Sequence, residues 1–204
     1  MKRFSKILLY VFLIGVFIVL SFPSVFAQDK EIKAELPVLI TSCGQSPGPT
    51  KIKAFIKRLK YDHVYNTLSS AEDLAAKKDT DTPFKTIIIV TGASQKGMGA
   101  AGISIKDELE RTKSLIAEAK KQGIKIIGAH IGGMQRRAKG ASPGDNTDEL
   151  SIDAVCPESD LLIIKKEGNE DGRFTAISKE KNIPMIEFEK YNEMTKIFKN
   201  LFEK

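Results

Sequence analysis

Two short motifs in this chain hold residues capable of covalent chemistry. Gly44-Gln45-Ser46-Pro47-Gly48 fits the pattern G-x-S-x-G, in which a sharp strand-to-helix turn presents a serine hydroxyl to a substrate, and His130 would be its base. Pro47 spoils that chemistry. The oxyanion hole of such a turn uses the backbone N–H that follows the serine, and proline has none. Cys43 is the second candidate nucleophile, but a phosphate-binding loop of the C-x5-R type would need arginine at position 49, which is Pro49. Ser46 or Cys43 with His130 therefore defines an enzymatic alternative, a hydrolase or transferase.

Two glycine-rich motifs suggest phosphate. Residues 97–102 fit the dinucleotide fingerprint G-x-G-x-x-G, yet they lie well past the end of the third strand rather than between the first strand and its helix. No acidic residue about 20 positions on ends a suitable strand to hold a ribose. Residues 92–97 begin like a P-loop, but Met98 stands where the phosphate lysine belongs and Gly99 where the metal-binding hydroxyl belongs. Two cysteines and two histidines do not assemble a zinc site. No cofactor and no metal is expected.

What remains is a convergence of loops. The exits of four expected strands carry glycine with small, hydroxyl, amide or basic groups: Ser42, Cys43, Gln45 and Ser46; Ser94, Gln95, Lys96, Gly97 and Gly99; His130, Gly132, Gly133 and Arg136; and Asn169 with Asp171. Parallel sheets bind ligands at their carboxyl edge, where helix N-termini direct N–H donors and partial positive charge outward. With Lys96, Arg136, Arg137 and Arg173 in these loops, the natural guest is a small anion such as a carboxylate or phosphate ester. The competing explanation is that glycines are only what tight βα turns require.

The elements that must position these groups are legible from hydrophobic pattern. Residues 86–90 form a continuous β-branched run without polar alternation, the mark of a strand covered on both faces. Residues 91–102 read as a glycine loop. Ser104 with Asp107 caps a helix whose apolar stripe is Ile105, Leu109, Thr112, Ile116 and Ala119, and Gly123 ends it. Other strands are expected at 37–41, 63–68, 124–130, 161–164 and 183–188, and other helices at 50–60, from 70, at 147–155, 174–181 and 192–203. The long connection 134–148, with Arg136, Arg137, Lys139, Pro143 and Gly144, is long enough to be a lid. Strand and helix alternate six times, so the expected fold is α/β: a doubly wound, Rossmann- or flavodoxin-like open parallel sheet of five to six strands in three α/β/α layers, ordered 2-1-3-4-5-6.

Ahead of that domain, Lys2, Arg3 and Lys6 precede an apolar run from 7 to 22 and a small-residue signal, Val25-Phe26-Ala27. This is the pattern of an export signal cut after Ala27; the alternative is an uncleaved membrane anchor. No cysteine lies near the cut, so attachment as a lipoprotein is excluded. Residues 28–36 read as a tether and 37–204 as one domain. Of the net charge of +6, residues 1–27 supply three positive charges and no acid, leaving 29 basic against 26 acidic residues. Lys and Glu are spread along the helices as solvated faces rather than gathered with aromatics, which argues against nucleic acid. The two cysteines fall at opposite edges of the expected sheet, Cys43 after the first strand and Cys156 before the fifth, and are read as free thiols.

Residues 37–46, 96–109, 129–133 and 166–172 resemble an uncharacterised family of exported bacterial α/β proteins, a domain of unknown function. The resemblance covers the whole exported chain, supports the export signal and boundaries, and implies no catalytic residues. The reading favoured is non-catalytic binding of a small anionic molecule outside the cytoplasm. One lobe is half of a clamshell receptor, so a membrane transporter or a homodimer would complete the site. A third reading, a structural or interaction module, requires a strand edge filled by its own side chains.

Overall fold

The computed structural model describes residues 33–138 and 146–203. The expected export segment 1–27, the first part of the tether, and Lys139, Pro143 and Gly144 of the long connection lie outside the described residues.

Six strands, β1 (Val38–Cys43), β2 (His63–Tyr65), β3 (Thr86–Thr91), β4 (Lys125–His130), β5 (Leu161–Lys165) and β6 (Met185–Phe188), form one parallel sheet in the order β2-β1-β3-β4-β5-β6. The fold class and strand order read from the sequence are both present. Between and after the strands run α1 (Gly48–Arg58), α2 (Ala71–Lys78), α3 (Gln95–Ala101), α4 (Ile105–Gln122), α5 (Thr147–Val155), α6 (Arg173–Lys181) and α7 (Glu193–Phe202).

The central strands are covered on both faces, which is why their sequences lack alternation. Val38, Ile40, Ile88, Val90, Ile127, Ala129, Leu161 and Ile163 face a layer that includes α1 and α7, through Ile52, Ile56, Met194, Phe198 and Leu201. Leu39, Cys43, Ile87, Ile89 and Ile126 face the other layer, with Leu74 of α2, Leu115, Ile116 and Ala119 of α4 and Val155 of α5. Leu162 and Ile164 complete this face with Ile152 and Phe174.

Several boundaries differ from the sequence reading for identifiable reasons. β1 continues through Cys43, which is a fully buried strand residue and not part of the exit loop. β2 stops at Tyr65 because the Asn66 side chain turns the chain, its Oδ1 accepting from Leu68 N at 3.0 Å. On α4 the Ser104–Asp107 capping box is present, but the buried stripe is Glu108, Thr112, Leu115, Ile116 and Ala119. Ile105 and Leu109 are only half-buried. The helix is turned to bring a carboxylate inward.

The largest correction concerns 91–102, expected as a glycine loop. Residues 95–101 are helical: the Ser94 side chain accepts from Gly97 N, Met98 is buried, and Gly102 ends the turn in the left-handed region at φ 68°. Gly97 is required by a close approach, since a Cβ there would stand inside van der Waals contact of the Gln45 carbonyl oxygen. Gly99 faces open space. Gly97 and Gly99, the first two of the three glycines in that pattern, thus have unlike roles. Gly97→Ala is therefore expected to destabilise the fold by about 1–3 kcal/mol through the forced separation of α3 from the β1 exit. Gly99→Ala should stabilise it by up to about 1 kcal/mol by helix propensity. Urea unfolding of the two variants checks the pair; equal effects would contradict the helical assignment.

Candidate functional site

At the carboxyl edge the first loop, leaving β1, is built on α4. Gly44 N donates to Glu108 Oε1 at 2.8 Å, and Gln45 Nε2 donates to the same oxygen at 2.9 Å and to the Thr67 carbonyl at 2.8 Å. Glu108 is fully buried and its second oxygen takes Arg111 Nε at 2.9 Å. Arg111 then donates to the carbonyls of Ser42 and Ser69. Gln45, expected to touch ligand, is held by these bonds in a left-handed conformation at φ 55° and bridges to Ala93. Gly44, at φ 102°, sits against the Gly92 carbonyl, where any Cβ would clash.

A second buried network closes the other half of the edge. The Arg137 guanidinium, 3% exposed, pairs with Glu149 Oε1 at 2.7 Å and Asp171 Oδ2 at 2.7 Å and donates to the Gly168 carbonyl. It also lies 5.4 Å from the centre of the Phe174 ring. Burial alone would favour its neutral form, but Asp171 and Glu149 outweigh that and hold it charged. Burial likewise raises the Glu149 pKa, and Arg137 more than reverses it, leaving the carboxyl below its usual range. Arg173 Nε is 2.9 Å from Glu149 Oε2, and its terminal nitrogen pairs with Asp153. Asn169 caps α6: its Oδ1 accepts from Phe174 N at 2.9 Å while Nδ2 donates to Thr175 and Glu187. Two of the four expected cations, Arg137 and Arg173, and the expected ligand amide Asn169 are therefore engaged by the protein's own groups.

The candidate catalytic residues do not come together as an acid–base pair. His130 is fully buried, with Nε2 3.1 Å from the Gly133 carbonyl and Nδ1 3.1 Å from Thr91 Oγ1. A carbonyl can only accept, so Nε2 carries the proton and Nδ1 is the ring's acceptor, facing the Thr91 hydroxyl, which is also 3.3 Å from the Ala129 carbonyl. Burial lowers the ring's pKa from an ordinary 6.5 to about 4. Both nitrogens are occupied, and Phe174 lies 5.0 Å away, centre to centre. Cys43 is also fully buried, its thiol pushed up to about 12 chiefly by burial, so it is not a thiolate at neutral pH. Cys156 is raised too, by burial first, and both cysteines are free. Ser42 is buried, and its Oγ has no hydrogen-bond partner among the described residues. Gly132 and Gly133 form the turn after β4, where a Cβ on Gly133 would meet the Glu167 carboxylate at 2.9 Å.

One small region keeps its donors. Ser46 is 7% exposed; its Oγ accepts a long bond, 3.4 Å, from Gly48 N, and its proton has no acceptor among the described residues. A Cβ on Gly92 would meet Ser46 Oγ at 3.3 Å and the Arg136 Cβ at 3.4 Å, so serine and arginine flank one spot. Arg136 Nη1 donates to the Ala93 carbonyl, and its other N–H groups have no acceptor among the described residues. The N-terminus of α1 also opens here: Pro47 offers no side-chain cap and Pro49 no N–H. Lys96 is exposed on α3 nearby in sequence to the Ser94 cap. The β3 exit is closed on its other side, Gly92 N donating to Ser151 Oγ and Ala93 N to Asp148 Oδ1.

Glu108, Arg111, Glu149 and Ser151 were not anticipated. Glu108 and Arg111 are one helical turn apart, a spacing that equally suits a solvated pair, and only the rotation of α4 distinguishes the two. Among the described residues no three His, Cys, Asp or Glu side chains converge as a metal site requires. A cleft of about 470 Å³ lies along α6, lined by Asp153, Pro157, Arg173, Ile177, Glu180 and Lys181 among others; of the residues expected to meet the ligand, Arg173 alone lines it.

The chain belongs to the family described as Domain of unknown function (DUF6305), matched over residues 35–202. No curated protein matches it. Among solved structures it is similar to the psychrotrophic esterase EstA from Pseudoalteromonas sp., at 11% identity over 76% of this chain and 78% of that one, with a TM-score of 0.32. It is similar to a GDSL-like lipase from Bacteroides thetaiotaomicron at 16% identity, covering 74% and 66% of the two chains, TM-score 0.32. An acetyl xylan esterase, AlAXEase, gives 10% identity over 78% and 80%, TM-score 0.38. Likeness at this level carries no argument about activity.

Two outcomes follow from the buried charges. Because His130 titrates near 4 when folded and near 6.5 when unfolded, the unfolded chain binds the extra proton between those values. Stability should thus fall as pH drops from 6.5 toward 4, by on the order of 3 kcal/mol from this group. Glu149 loses stability in acid in the same direction, so the check is the slope of urea midpoints in His130→Gln against the unaltered chain, which should be shallower. Arg137→Ala, which strands two carboxylates, should destabilise by about 3–5 kcal/mol; a loss below about 1 kcal/mol would show that the network does not hold the edge.

Proposed function

We propose that the domain binds a small anion without transforming it, at the spot bounded by Ser46, Arg136 and the N-terminus of α1. The observation that carries this reading is the Ser46 hydroxyl, buried beside a glycine, with an arginine across from it; among the described residues the serine proton and the remaining arginine donors have no acceptor. An anion would satisfy all of these groups and the helix end together. Export of the domain, with residues 1–27 removed, rests on the sequence pattern described above, and a transporter or a second copy of the chain would then take the bound anion.

A hydrolase or transferase using Ser46 or Cys43 with His130 has less support. The imidazole has no free nitrogen to accept the serine proton, the Cys43 thiol is protonated, and Pro47 removes the oxyanion donor.

Thermal unfolding of the full chain in inorganic phosphate, sulfate, acetate and citrate, each against sodium chloride of matched ionic strength, tests the proposal. An anion at about 100 times its dissociation constant stabilises by about 2.7 kcal/mol, which for this size of chain is roughly 5–10 °C. Ser46→Ala and Arg136→Ala should each weaken the response at least tenfold. No shift with any anion, or shifts unaltered by both substitutions, would sink the idea; hydrolysis of p-nitrophenyl acetate lost in Ser46→Ala would install the hydrolase in its place.

A further inference from the structure

Every ion pair among the described residues lies outside α1 and α7: on α4, α6 and the loops of the carboxyl edge. Helix α1 carries Lys51, Lys53, Lys57 and Arg58, is followed by Lys60, and contains no acidic residue. The expectation that cations are spread with acids rather than gathered with aromatics does not hold on α1. Lys51, Lys57, Arg58 and Lys60 are exposed, and α7, which packs in the same layer, adds Lys196 and Lys199 against Glu193.

These cations are interleaved with rings. Lys51 lies 4.5 Å from the centre of Tyr191, Lys53 4.4 Å from Tyr65 and Arg58 5.8 Å from Phe55. Phe55, Tyr61 and Phe202 are half-buried in the same layer, the last two 5.6 Å apart edge to face. Amphipathic rings beside long basic stems suit a boundary between water and lipid headgroups. The chain also enters the domain here: Ala34 N donates to the Leu201 carbonyl and Lys33 Nζ to that of Asn200. In the alternative in which residues 1–27 stay uncleaved, the apolar run 7–22 precedes this entry point in the sequence.

We propose that the outer face of α1, with the adjoining end of α7, docks against an anionic bilayer surface. The attraction is to lipid phosphate in bulk and not to one headgroup, and it uses the helix flank, apart from the Ser46 spot at the N-terminal end of α1. Each basic residue held near an anionic surface is worth roughly fivefold in partitioning, and salt screens it.

The test is flotation of the full chain with vesicles of phosphatidylcholine alone and with about 30% phosphatidylglycerol added. The apolar run can enter both, so the ratio of the two partition constants is the readout. The unaltered chain should prefer the anionic vesicles by at least tenfold at low salt, with the preference gone at about 0.5 M sodium chloride. Combined Lys53→Gln, Lys57→Gln, Arg58→Gln and Lys60→Gln should bring the ratio near one while leaving the melting temperature and any phosphate response unchanged. Combined Lys78→Gln, Lys106→Gln, Lys113→Gln and Lys179→Gln, an equal charge change on other helices, should preserve it. A ratio near one for the unaltered chain, an equal drop in both variants, or tight binding of duplex DNA without preference for anionic vesicles would overturn the proposal.

Discussion

A carboxylate with no exposure to water, Glu108, organises the first half of the carboxyl edge. Where parallel strands end, their loops leave backbone groups without ladder partners, and under a helix layer water cannot reach them. Glu108 takes the Gly44 N–H and the Gln45 amide, and its partner Arg111 takes the Ser42 and Ser69 carbonyls. One ion pair on α4 thus anchors the β1 exit and the segment after β2. Arg137 does the same for the β4 and β5 exits through Glu149, Asp171 and the Gly168 carbonyl. Neither pair needs to add net stability over an apolar core; each makes one loop arrangement far better than its alternatives.

That constraint explains what could be read in advance. Strands β1, β3, β4 and β5 announce themselves because burial on both faces demands unbroken apolar runs, and the turns demand glycine at their ends. The order of the strands then follows from crossover lengths. A helix stripe is less legible. Ile105 and Leu109 outscore Glu108 on any hydrophobic pattern, and the choice between them is made by loop amides distant in sequence. The α3 segment failed for a related reason. Two glycines and two alanines in seven residues read as a loop, while the Ser94 cap and the burial of Met98 supply enough to make a helix.

The same logic sorts the candidate site. From sequence, arginine beside glycine at a strand exit is equally a ligand clamp or a structural tie. Arg137 and Arg173 proved to be ties because Glu149, Asp153 and Asp171 lie within reach. Arg136, one residue from Arg137, donates among the described residues to the Ala93 carbonyl alone. The 3₁₀ turn Gly133–Arg136 ends between them and sends adjacent guanidinium groups to different neighbourhoods. No periodicity in the sequence encodes that divergence.

Packing around Ser46 also limits what could sit there. A Cβ at Gly48 would strike Val90 Cγ1 at 2.7 Å, one at Gly132 would meet the Arg136 side chain, and one at Gly92 would touch both Ser46 and Arg136. Glycine is kept where these groups converge because there is no room for a methyl, so a guest must lie above this floor and meet the hydroxyl and guanidinium from the solvent side. In the proposed complex, a phosphate or a single carboxylate would do that with Arg136 left on Ala93. A bulkier anion would have to lift Arg136 from its carbonyl, exchanging one hydrogen bond for another and losing the net advantage. Side chains packed against these glycines would therefore favour a small guest at the proposed spot.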